Sequence, residues 1–367
     1  MPPPTSQPVD YSRLERTAYA RHAVQSLSVA VIGCGALGSE AARLLGLLGV
    51  GSVLLIDHDR VEPTNLTHSP HLSVLGRPKA LVLAEALASL FPDTHFLPLP
   101  HEIADVGFAH LQPCALFFSC TDNALARVET AYASYRLHRP MIDAGLKGHA
   151  FWSGRVTWFP AANAASNPAC YLCQLSSASR AELLSLALAA SQSCATPPAD
   201  PNPLPSTPTM ASLTAALQVD LGLRLHLSSE PPAEAQAWEI SLPLPTTSWT
   251  THTIPRSVDC PWHRLDPTLT LTRLPMDQPL RETLGQNALL LDWPISLRAR
   301  CATCQHSWSP LTRVATLRRH ATCPLCGSNH LHSIETLTTL NPIHPATNQT
   351  PTQLNLPQNH LFTLKPL

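Results

Sequence analysis

The sequence predicts an α/β protein that combines a doubly wound, mostly parallel sheet with a C-terminal zinc ribbon. Three observations predict this fold. A glycine-rich turn separates an apolar strand from a helix near the start of the chain, at residues 33–38. Short apolar strands and helices then alternate as far as residue 143. Two Cys-x2-Cys pairs, eighteen residues apart, follow near the carboxyl end.

Each element is predicted from the length and period of its apolar residues. Short apolar runs predict buried strands, and apolar residues at helical spacing predict helices. Pro78 suits the first turn of its helix, where a missing N–H costs nothing. The predicted elements are, in order, helix 12–25, strand 28–32, helix 39–48, strand 52–56, helix 78–90, strands 94–98 and 115–120, helix 124–138, strands from 141 and at 155–159, helices 180–191 and 210–225, a strand hairpin within 238–254, a short helix within 264–284, and a terminal strand at 360–364.

The composition is that of a globular chain with one large or two smaller domains. Of its 367 residues, 44% are hydrophobic, which is enough to bury a core. Only 13% are charged and the formal net charge is −1, so nothing favours nucleic acid or an anionic membrane as a partner. The 37 prolines lie mostly outside residues 27–90 and indicate loops and tails.

A cytoplasmic location is expected. The first sixteen residues lack the apolar stretch of a signal peptide. The apolar stretch 27–56 contains six glycines, Glu40 and Arg43, so it is not predicted to span a membrane. Seven of the eleven cysteines belong to Cys-x2-Cys or Cys-x2-His patterns, which indicate metal binding in a reducing compartment rather than disulfides.

The glycine turn predicts a nucleotide site. Gly33, Gly35 and Gly38 form a Gly-x-Gly-x-x-Gly pattern that lets the backbone approach a nucleotide, and the next helix offers N–H groups to anionic oxygens. Asp57 ends the following strand, where its carboxylate is placed to accept hydrogen bonds from ribose hydroxyls. Taken alone, these features fit an NAD-dependent dehydrogenase equally well.

The segment after that strand favours a triphosphate over a dinucleotide. Asp59 and Asn65 lie in a long polar stretch, and Arg77 and Lys79 follow at the start of a helix. Lysine supplies a point charge, arginine a bidentate fork, and asparagine a polar contact to sugar or phosphate. A dehydrogenase does not need this combination, whereas a triphosphate does.

Asp122 and Asn123 end a later strand. A carboxylate at this position is placed to hold Mg²⁺ bound to phosphate oxygens. The alternative is that both residues only cap the helix that begins at Ala124. The ordered set of polar motifs favours a nucleotide site over caps alone.

In this order, the motifs resemble the superfamily of ThiF, MoeB and ubiquitin-activating enzymes over roughly residues 11–263. The matching segments are Tyr11-Ser12-Arg13, the glycine turn, Asp57-x-Asp59-x-Val61, Asn65-Leu66, Gly76-Arg77-Pro78-Lys79 and Thr121-Asp122-Asn123. The resemblance implies a Rossmann-like domain that adenylates the C-terminal glycine carboxylate of a ubiquitin-like or sulfur-carrier protein, using ATP and Mg²⁺. The tail and the second cysteine module are similar to the BilD type of bacterial ubiquitin-like conjugation operons.

The resemblance also implies roles for individual residues. Lys79, Arg77 and Arg13 would neutralise phosphate charge, Arg13 by reaching the nucleotide of the neighbouring subunit, so a homodimer is expected. A conjugating enzyme is a further partner of this class. The nucleotide-binding residues that the resemblance implies are Gly33, Gly35, Gly38, Asp57, Asp59, Asn65, His68, Arg77, Lys79, Asp122 and Asn123.

His68 departs from the family, which has arginine two residues after the Asn-Leu pair. A neutral imidazole cannot replace a guanidinium at full strength. Either Arg13 and Lys79 suffice, or His68 is protonated beside phosphate, or the site is weakened.

The boundaries that follow are residues 1–265 for the ATP-binding adenylation domain, with a crossover loop at about 192–209. A connector is expected at 266–290, the zinc ribbon at 291–335 and a C-terminal tail at 336–367.

Two zinc sites are predicted. The first consists of Cys301, Cys304, Cys323 and Cys326, whose spacing is that of a zinc ribbon. The resemblance implies a second site at Cys170, Cys173, Cys260 and His263, where histidine replaces the family's cysteine. Zinc accepts a set of three cysteines and one histidine. The alternatives are four ordinary thiols and, at the second site, an unrelated cysteine with a surface histidine.

Cys194 is predicted to accept the acyl group as a thioester. It opens a proline-rich loop at the position of the family's crossover-loop cysteine, and only Arg180 is a nearby cation in the sequence. A thioester-forming thiol must be exposed, mobile and partly ionised. The alternative is an ordinary loop cysteine in an enzyme that stops at the adenylate. Three other cysteines are expected to be small buried residues: Cys34, Cys114 and Cys120.

Two rival functions stay open. The first is a sulfur-carrier adenylyltransferase of the MoeB or ThiF type, which stops at the adenylate or passes sulfur onward. The second is a non-catalytic scaffold, with His68 marking decay of the site. Pyrophosphate exchange with the cognate carrier separates enzyme from scaffold, and the neighbouring genes are the best guide to that carrier.

Overall fold

The structure, a computed structural model, describes residues 9–17, 19–67, 69, 71–146, 152–162, 166–188, 207–243, 245–264, 271–314, 316–317 and 321–366. The helices are α1 Arg21–Gln25, α2 Ala36–Leu47, α3 Lys79–Leu90, α4 Phe108–Leu111, α5 Ala124–Arg136, α6 Ser177–Leu188, α7 Pro208–Leu227 and α8 Leu280–Leu284. The strands are β1 Ser28–Ile32, β2 Ser52–Ile56, β3 His95–Leu99, β4 Leu116–Ser119, β5 Met141–Leu146, β6 Ser153–Phe159, β7 Ala235–Ser241, β8 Ser248–Ile254, β9 Leu271–Arg273, β10 Asn287–Cys301, β11 Ser307–Trp308, β12 Thr312–Arg313, β13 Leu331–Leu340 and β14 Leu361–Pro366.

The first sheet has eight strands in the order β3-β2-β1-β4-β5-β6-β7-β8. Strands β1 to β5 pair in parallel, and β6 to β8 extend the sheet in antiparallel pairs. The chain moves outward from β1 to β3 and then returns to place β4 on the other side of β1. Ligands of open α/β sheets bind at such a switch point, beyond the carboxyl ends of the strands.

Helices cover both faces of this sheet, which confirms the predicted doubly wound α/β class. One core packs α2, α3 and α7 against the sheet through residues such as Leu45, Leu83 and Val219. The other packs α4 and α5 through Phe108 and Val128. Because both faces are covered, β1 and β2 are almost continuously apolar and buried rather than alternating.

A second sheet of six strands lies in residues 271–366. Its long strand β10 pairs with β11, β12, β13 and β14, and β14 also pairs with β9. This sheet has its own apolar core, which includes Leu289, Leu340 and Phe362. The predicted terminal strand is therefore confirmed as β14, an inner strand of this sheet. The domain boundaries given above stay a prediction.

Buried ionic contacts attach the second sheet to α5. Asp292 of β10 accepts hydrogen bonds from the Tyr132 hydroxyl at 2.8 Å and from Arg136 Nη1 at 2.9 Å. His360 Nε2 lies 2.9 Å from the other carboxylate oxygen of Asp292. Burial opposes ionisation, but His360 and Arg136 outweigh it and lower the pKa of Asp292. The Asp292 carboxylate is therefore ionised and fully paired inside the interface.

A second arginine ties the sheets together nearby. The Arg313 guanidinium, from β12, forms an ion pair with Asp105 and donates hydrogen bonds to the carbonyl oxygens of Ala104 and Asn355, each at 2.7 Å. A Cβ at Gly107 would lie 2.0 Å from the carbonyl oxygen of Gln358. Glycine thus permits a close backbone approach at this contact.

The N-terminal segment differs from the single helix predicted at 12–25. It contains a 3₁₀ turn at Leu14–Arg16 and the short helix α1. Thr17 explains the break, since its hydroxyl donates to the carbonyl oxygen of Leu14 and accepts from the N–H of Tyr19. Such local side-chain bonds compete with helical hydrogen bonding.

No helix among the described residues combines the length and the apolar character needed to cross a bilayer.

Candidate nucleotide and metal sites

The three glycines of the turn meet different surroundings. Gly33 has a φ of +91°, and a Cβ there would lie 2.8 Å from the carbonyl oxygen of Cys120. A Cβ at Gly38 would lie 1.7 Å from the carbonyl oxygen of Gly33. A Cβ at Gly35 would meet nothing within 4 Å. Gly33 and Gly38 therefore serve the fold of the turn, and Gly35 faces open space at the N-terminus of α2.

Asp57 supports this turn from the end of β2. Its Oδ2 accepts a hydrogen bond from the Cys34 N–H at 2.6 Å, and its Oδ1 accepts one from the Asp59 N–H at 2.8 Å. Burial raises the pKa of Asp57 despite these two bonds. The structure thus gives Asp57 a role in fixing the turn, and its predicted contact with ribose stays a prediction.

Lys79 forms an ion pair with Asp59 and feels the charges of Asp57 and Asp122. Its Nζ lies 2.8 Å from Asp59 Oδ2, and its backbone N–H donates to the carbonyl oxygen of Asp59 at 2.8 Å. Burial alone would lower the pKa of Lys79, but the bond to Asp59 and the charges of Asp57 and Asp122 outweigh burial and raise it. Lys79 is therefore a buried ammonium at the switch point of the sheet, and its pKa is held above its usual value.

Asn123 caps α5, as the alternative interpretation expected. Its Oδ1 accepts a hydrogen bond from the Ala126 N–H at 2.7 Å. The neighbouring Asp122 is exposed. The cap leaves the Asp122 carboxylate available at the carboxyl end of β4, on the same edge as Lys79.

Two predicted phosphate or sugar contacts have other partners here. The Arg77 guanidinium forms an ion pair with Glu85 of α3 at 2.6 Å. Asn65 Oδ1 accepts a hydrogen bond from the Glu62 N–H at 2.8 Å and so shapes its own turn. Two further predicted site residues, His68 and Cys194, lie outside the described residues.

Arg13 belongs to a segment that packs near the amino end of β2. It is exposed in a turn beside Tyr11, whose ring stacks under the Arg21 guanidinium at 3.7 Å. Arg21 Nη1 donates to the carbonyl oxygen of Gly49 at 2.7 Å, just before β2 begins. The glycine turn and Asp57 lie where the strands end. At about 3.3 Å per residue, the five residues of β2 separate the two edges by roughly 15 Å.

Sequence reasoning missed an arginine that joins the strand ends. Arg127, one turn into α5, donates to Asp143 Oδ2 and to the carbonyl oxygen of Thr121, each at 2.7 Å. The Ser119 hydroxyl donates to Asp143 Oδ1 at 2.7 Å. This network fixes the ends of β4 and β5 beside Asp122. Its one sequence signal is a cation four residues after the cap, which alone is too common to decide anything.

Gln218 braces the same strands from α7. Its Nε2 donates to the carbonyl oxygens of Ser119 at 3.0 Å and Ile142 at 2.9 Å, and the side chain is fully buried. A buried amide must be hydrogen-bonded, and these bonds meet that need. The Cys120 thiol donates to Gln218 Oε1 at 3.2 Å.

The three cysteines expected to be small and buried are buried: Cys34, Cys114 and Cys120. Burial raises the pKa of Cys114 to about 11 and that of Cys120 to about 12. Thiols that stay protonated in this way are poor nucleophiles.

The first metal-type cluster consists of Cys170, Cys173, Cys260 and His263, whose ligand atoms all lie within 4.8 Å of one another. Cys170 Sγ lies 3.8 Å from Cys173 Sγ and 3.5 Å from Cys260 Sγ. Tetrahedral zinc with Zn–S bonds of 2.3 Å places sulfurs about 3.8 Å apart. The neighbouring thiols Cys170 and Cys260 lower the pKa of Cys173, which favours a thiolate. The donor set fits zinc.

The second cluster consists of Cys301, Cys304, Cys323 and Cys326, again with all ligand atoms within 4.8 Å. Two Sγ pairs, Cys301–Cys326 and Cys304–Cys323, are each 3.6 Å apart. Each pair forms a tight turn that ends with a residue of positive φ directly after the second cysteine. These residues are Gln305 and Gly327. The structure thus brings together both cysteine-rich sets that the sequence selected.

A family search agrees with these motifs. The model described as "ThiF family" matches residues 14–262, more than half of the chain.

The chain matches curated relatives over about a third of its length. Ubiquitin-like modifier-activating enzyme 5 of Dictyostelium discoideum is 30% identical over 149 residues, covering 36% of this chain and 38% of that protein. Adenylyltransferase and sulfurtransferase MOCS3 of Danio rerio is 32% identical over 129 residues, covering 33% and 27%. Sulfur carrier protein ThiS adenylyltransferase of Escherichia coli K12 is 32% identical over 123 residues, covering 33% and 49%. The chain therefore spans less than half the length of each relative.

Among solved structures, Escherichia coli MccB has a TM-score of 0.50 at 18% identity and covers 67% of each chain. At that identity, the likeness shows a shared fold.

Proposed function

The chain belongs to the ThiF family, and on that premise we propose that it adenylates the C-terminal glycine carboxylate of a ubiquitin-like or sulfur-carrier protein. Adenylation consumes ATP and releases pyrophosphate. The relatives named as a ubiquitin-like modifier-activating enzyme and as a ThiS adenylyltransferase support this chemistry.

The observation that carries the proposal is the position of Lys79. The buried ammonium lies at the switch point of the sheet, beside Asp59 and within the charge field of Asp122. Gly35 leaves open space at the N-terminus of α2 on the same edge. A cation, free helical N–H groups and room for backbone approach are what a polyphosphate needs.

Adenylation is a substitution at the α-phosphorus of ATP. A carboxylate oxygen of the carrier attacks the α-phosphorus of ATP, and the bond from that phosphorus to the β-phosphate oxygen breaks. Pyrophosphate leaves with the electron pair, and the carrier becomes an acyl adenylate. Lys79 neutralises charge that develops on the phosphate oxygens, so this chain contributes positioning and electrostatics rather than a covalent bond.

Asp122 is the residue proposed to hold Mg²⁺. Its exposed carboxylate lies at the end of β4, and hard oxygen donors of this type suit Mg²⁺ bound to phosphates. When bound, Mg²⁺ offsets charge on the β-phosphate that leaves. The network of Arg127, Asp143 and Ser119 keeps the strand end below Asp122 in place.

Arg13 supports a homodimer. Its neighbour Tyr11 packs near the amino end of β2, which is the opposite edge of the sheet from the glycine turn of its own chain. An Arg13 that contributes to catalysis therefore acts on the nucleotide of a second copy.

The acyl group is proposed to pass to Cys194 as a thioester. The thiolate attacks the acyl carbon of the adenylate, AMP leaves with the bonding electrons, and the thiol proton passes to solvent. Arg180, the cation nearest to Cys194 in the sequence, is buried, and its guanidinium donates to the carbonyl oxygens of Leu172 and Leu175. A conjugating enzyme as the next acceptor, and membership of the BilD type, stay predictions.

Both cysteine-rich clusters are proposed to hold structural zinc. Each offers four protein ligands, and a closed tetrahedral set leaves no position for substrate. All described cysteines are free thiols. Free thiols arranged for metal favour a reducing compartment, for which the cytoplasm is our proposal.

The thioester step is tested with ATP and a purified ubiquitin-like or sulfur-carrier protein that ends in glycine and is encoded beside this chain's gene. Separation without reducing agent should reveal a carrier adduct that dithiothreitol removes. Cys194→Ser should lose the adduct, or convert it to a thiol-stable ester, while pyrophosphate exchange survives.

Cys114→Ser is the matched control, because that buried thiol takes no part in the proposed transfer, and it should keep the adduct. An unchanged adduct in Cys194→Ser would move the role to another cysteine. Exchange without any adduct in the wild type would favour an enzyme that stops at the adenylate.

A further inference from the structure

We infer that Asn167 accepts a hydrogen bond from His263 Nδ1 and thereby orients the imidazole so that Nε2 binds the metal of the first cluster. The inference rests on the proposed zinc at Cys170, Cys173, Cys260 and His263.

The geometry of the imidazole carries the inference. His263 Nδ1 lies 2.6 Å from Asn167 Oδ1, and His263 Nε2 lies 3.1 Å from Cys173 Sγ. A neutral imidazole carries one N–H, and a nitrogen that binds a metal must present a lone pair. Because an amide oxygen only accepts, Nδ1 must carry the proton. Nε2 is then the nitrogen left with a lone pair, and it is the one that faces the cluster.

Asn167 also connects the two halves of the cluster. It lies three residues before Cys170, whereas His263 is 96 residues later, in the 3₁₀ turn at Pro261–Arg264. The ring of Tyr135 contacts His263 edge-on, with centroids 5.9 Å apart. The imidazole is therefore held along one edge by a hydrogen bond and on one side by an aromatic ring. A cysteine at this position would need neither contact.

The amide of Asn167 differs from a carboxylate in the charge that it brings to the cluster. Three thiolates and one neutral imidazole around Zn²⁺ already leave a net charge of about −1. Asn167 orients the ring without adding a further negative charge near Cys170. An outer-shell carboxylate would instead raise the basicity of the imidazole.

The expected effect is a loss of metal affinity. Removing an outer-shell partner of a histidine ligand costs about 10- to 100-fold in affinity. Asn167→Leu keeps the approximate shape and removes the acceptor, so zinc should leave the first cluster at a chelator concentration about 10- to 100-fold lower. Asn167→Asp keeps an acceptor and should retain wild-type affinity or exceed it.

The experiment is zinc release from the full chain, titrated with a chromophoric chelator of known affinity. Cys260→Ser identifies which release step belongs to the first cluster, and the four-cysteine cluster in each sample is the internal reference. The decisive comparison is Asn167→Leu in a His263→Cys background. Once cysteine replaces the imidazole, the acceptor has no N–H to receive, and Asn167→Leu should no longer change zinc release.

Two results would overturn the inference. One is identical zinc release in wild type and Asn167→Leu. The other is an equal loss in the His263→Cys background, because Asn167 would then act through the fold of its loop. If the wild type holds zinc only in the four-cysteine cluster, the proposed site itself fails, and the metal content shows this before any variant is compared.

Discussion

Lys79 and Asp59 form an ion pair that an incoming triphosphate has to share. The ammonium is buried, the carboxylate is half exposed, and Gly35 leaves open space on the same edge of the sheet, so we expect phosphate oxygens to approach there. Residues of this kind could be selected from the sequence because their types and order are specific. Roles that depend on side-chain direction could not, and Asn167 and Arg127 are examples.

Gly35 and Gly38 should respond differently to the same small change. Gly35→Ala adds a methyl group to open space, but alanine is a poorer N-cap than glycine, so we expect the free energy of unfolding to fall by no more than about 1 kcal/mol. ATP binding should weaken about tenfold or more, or about 1.4 kcal/mol, because the methyl occupies the phosphate approach. Gly38→Ala should destabilise the fold by about 2 kcal/mol through its clash with Gly33.

Calorimetric titration with MgATP and urea denaturation measure the two effects. Unchanged ATP affinity in a folded Gly35→Ala variant would remove the nucleotide from this turn.

The buried Glu129 should make the free energy of unfolding depend on pH. Burial in α5 and the charge of Asp105 raise its pKa to about 8, against the opposing effect of Arg313. The folded chain therefore binds a proton that the unfolded chain, with an ordinary pKa of 4.5, has released. This contribution to stability is complete below pH 4.5 and is lost as the pH rises towards 8.

Glu129→Gln should accordingly match the wild type at pH 4.5 and exceed it at pH 7. At 1.36 kcal/mol per pKa unit, the gain at pH 7 is on the order of 3 kcal/mol. Urea denaturation at both pH values measures it, and the exposed Glu234→Gln is the control. A gain of equal size at both pH values would contradict the titration of Glu129.

Secondary-structure elements were predictable where local pattern decides them. The βαβ unit β1-α2-β2 and the two cysteine pairs of the zinc ribbon depend on residues close together in sequence, and the structure contains them. The break between the N-terminal 3₁₀ turn and α1 was not predictable. The Thr17 hydroxyl causes it through local hydrogen bonds that apolar spacing does not reveal.

The zinc ribbon should depend on its metal more than any other element. Its core contains five buried residues, two of which are metal ligands: Ala299, Cys301, Leu317, Cys323 and Leu331. So small a core supplies little stability, so most of the folding free energy must come from metal binding. We expect two zinc ions per chain and one in Cys260→Ser. Chelation should raise hydrogen exchange in residues 321–331 while β1 and β4 stay protected.

Elemental analysis and hydrogen-exchange mass spectrometry measure these quantities. A single zinc in the wild type, unchanged in Cys260→Ser, would leave only the ribbon site.

The second sheet and α5 form one buried interface. Arg136 reaches Asp292 across 156 residues and Thr363 across 227. No periodicity or motif links positions so far apart, so this docking could not be predicted from the sequence. α5 begins at Ala124, and its cap Asn123 directly follows the proposed magnesium ligand Asp122. The second sheet therefore stabilises the helix that borders the nucleotide site.

The polar residues beyond β2 and β4 are proposed to activate a carrier carboxylate with ATP. ATP–pyrophosphate exchange dependent on a glycine-terminated carrier tests this proposal most directly. We expect exchange in the wild type and a loss of at least about 100-fold in Lys79→Ala and Asp122→Ala from missing charge stabilisation. Lys365→Ala, which changes an exposed lysine on β14, should leave exchange unchanged. Wild-type exchange in a folded Lys79→Ala variant would contradict it.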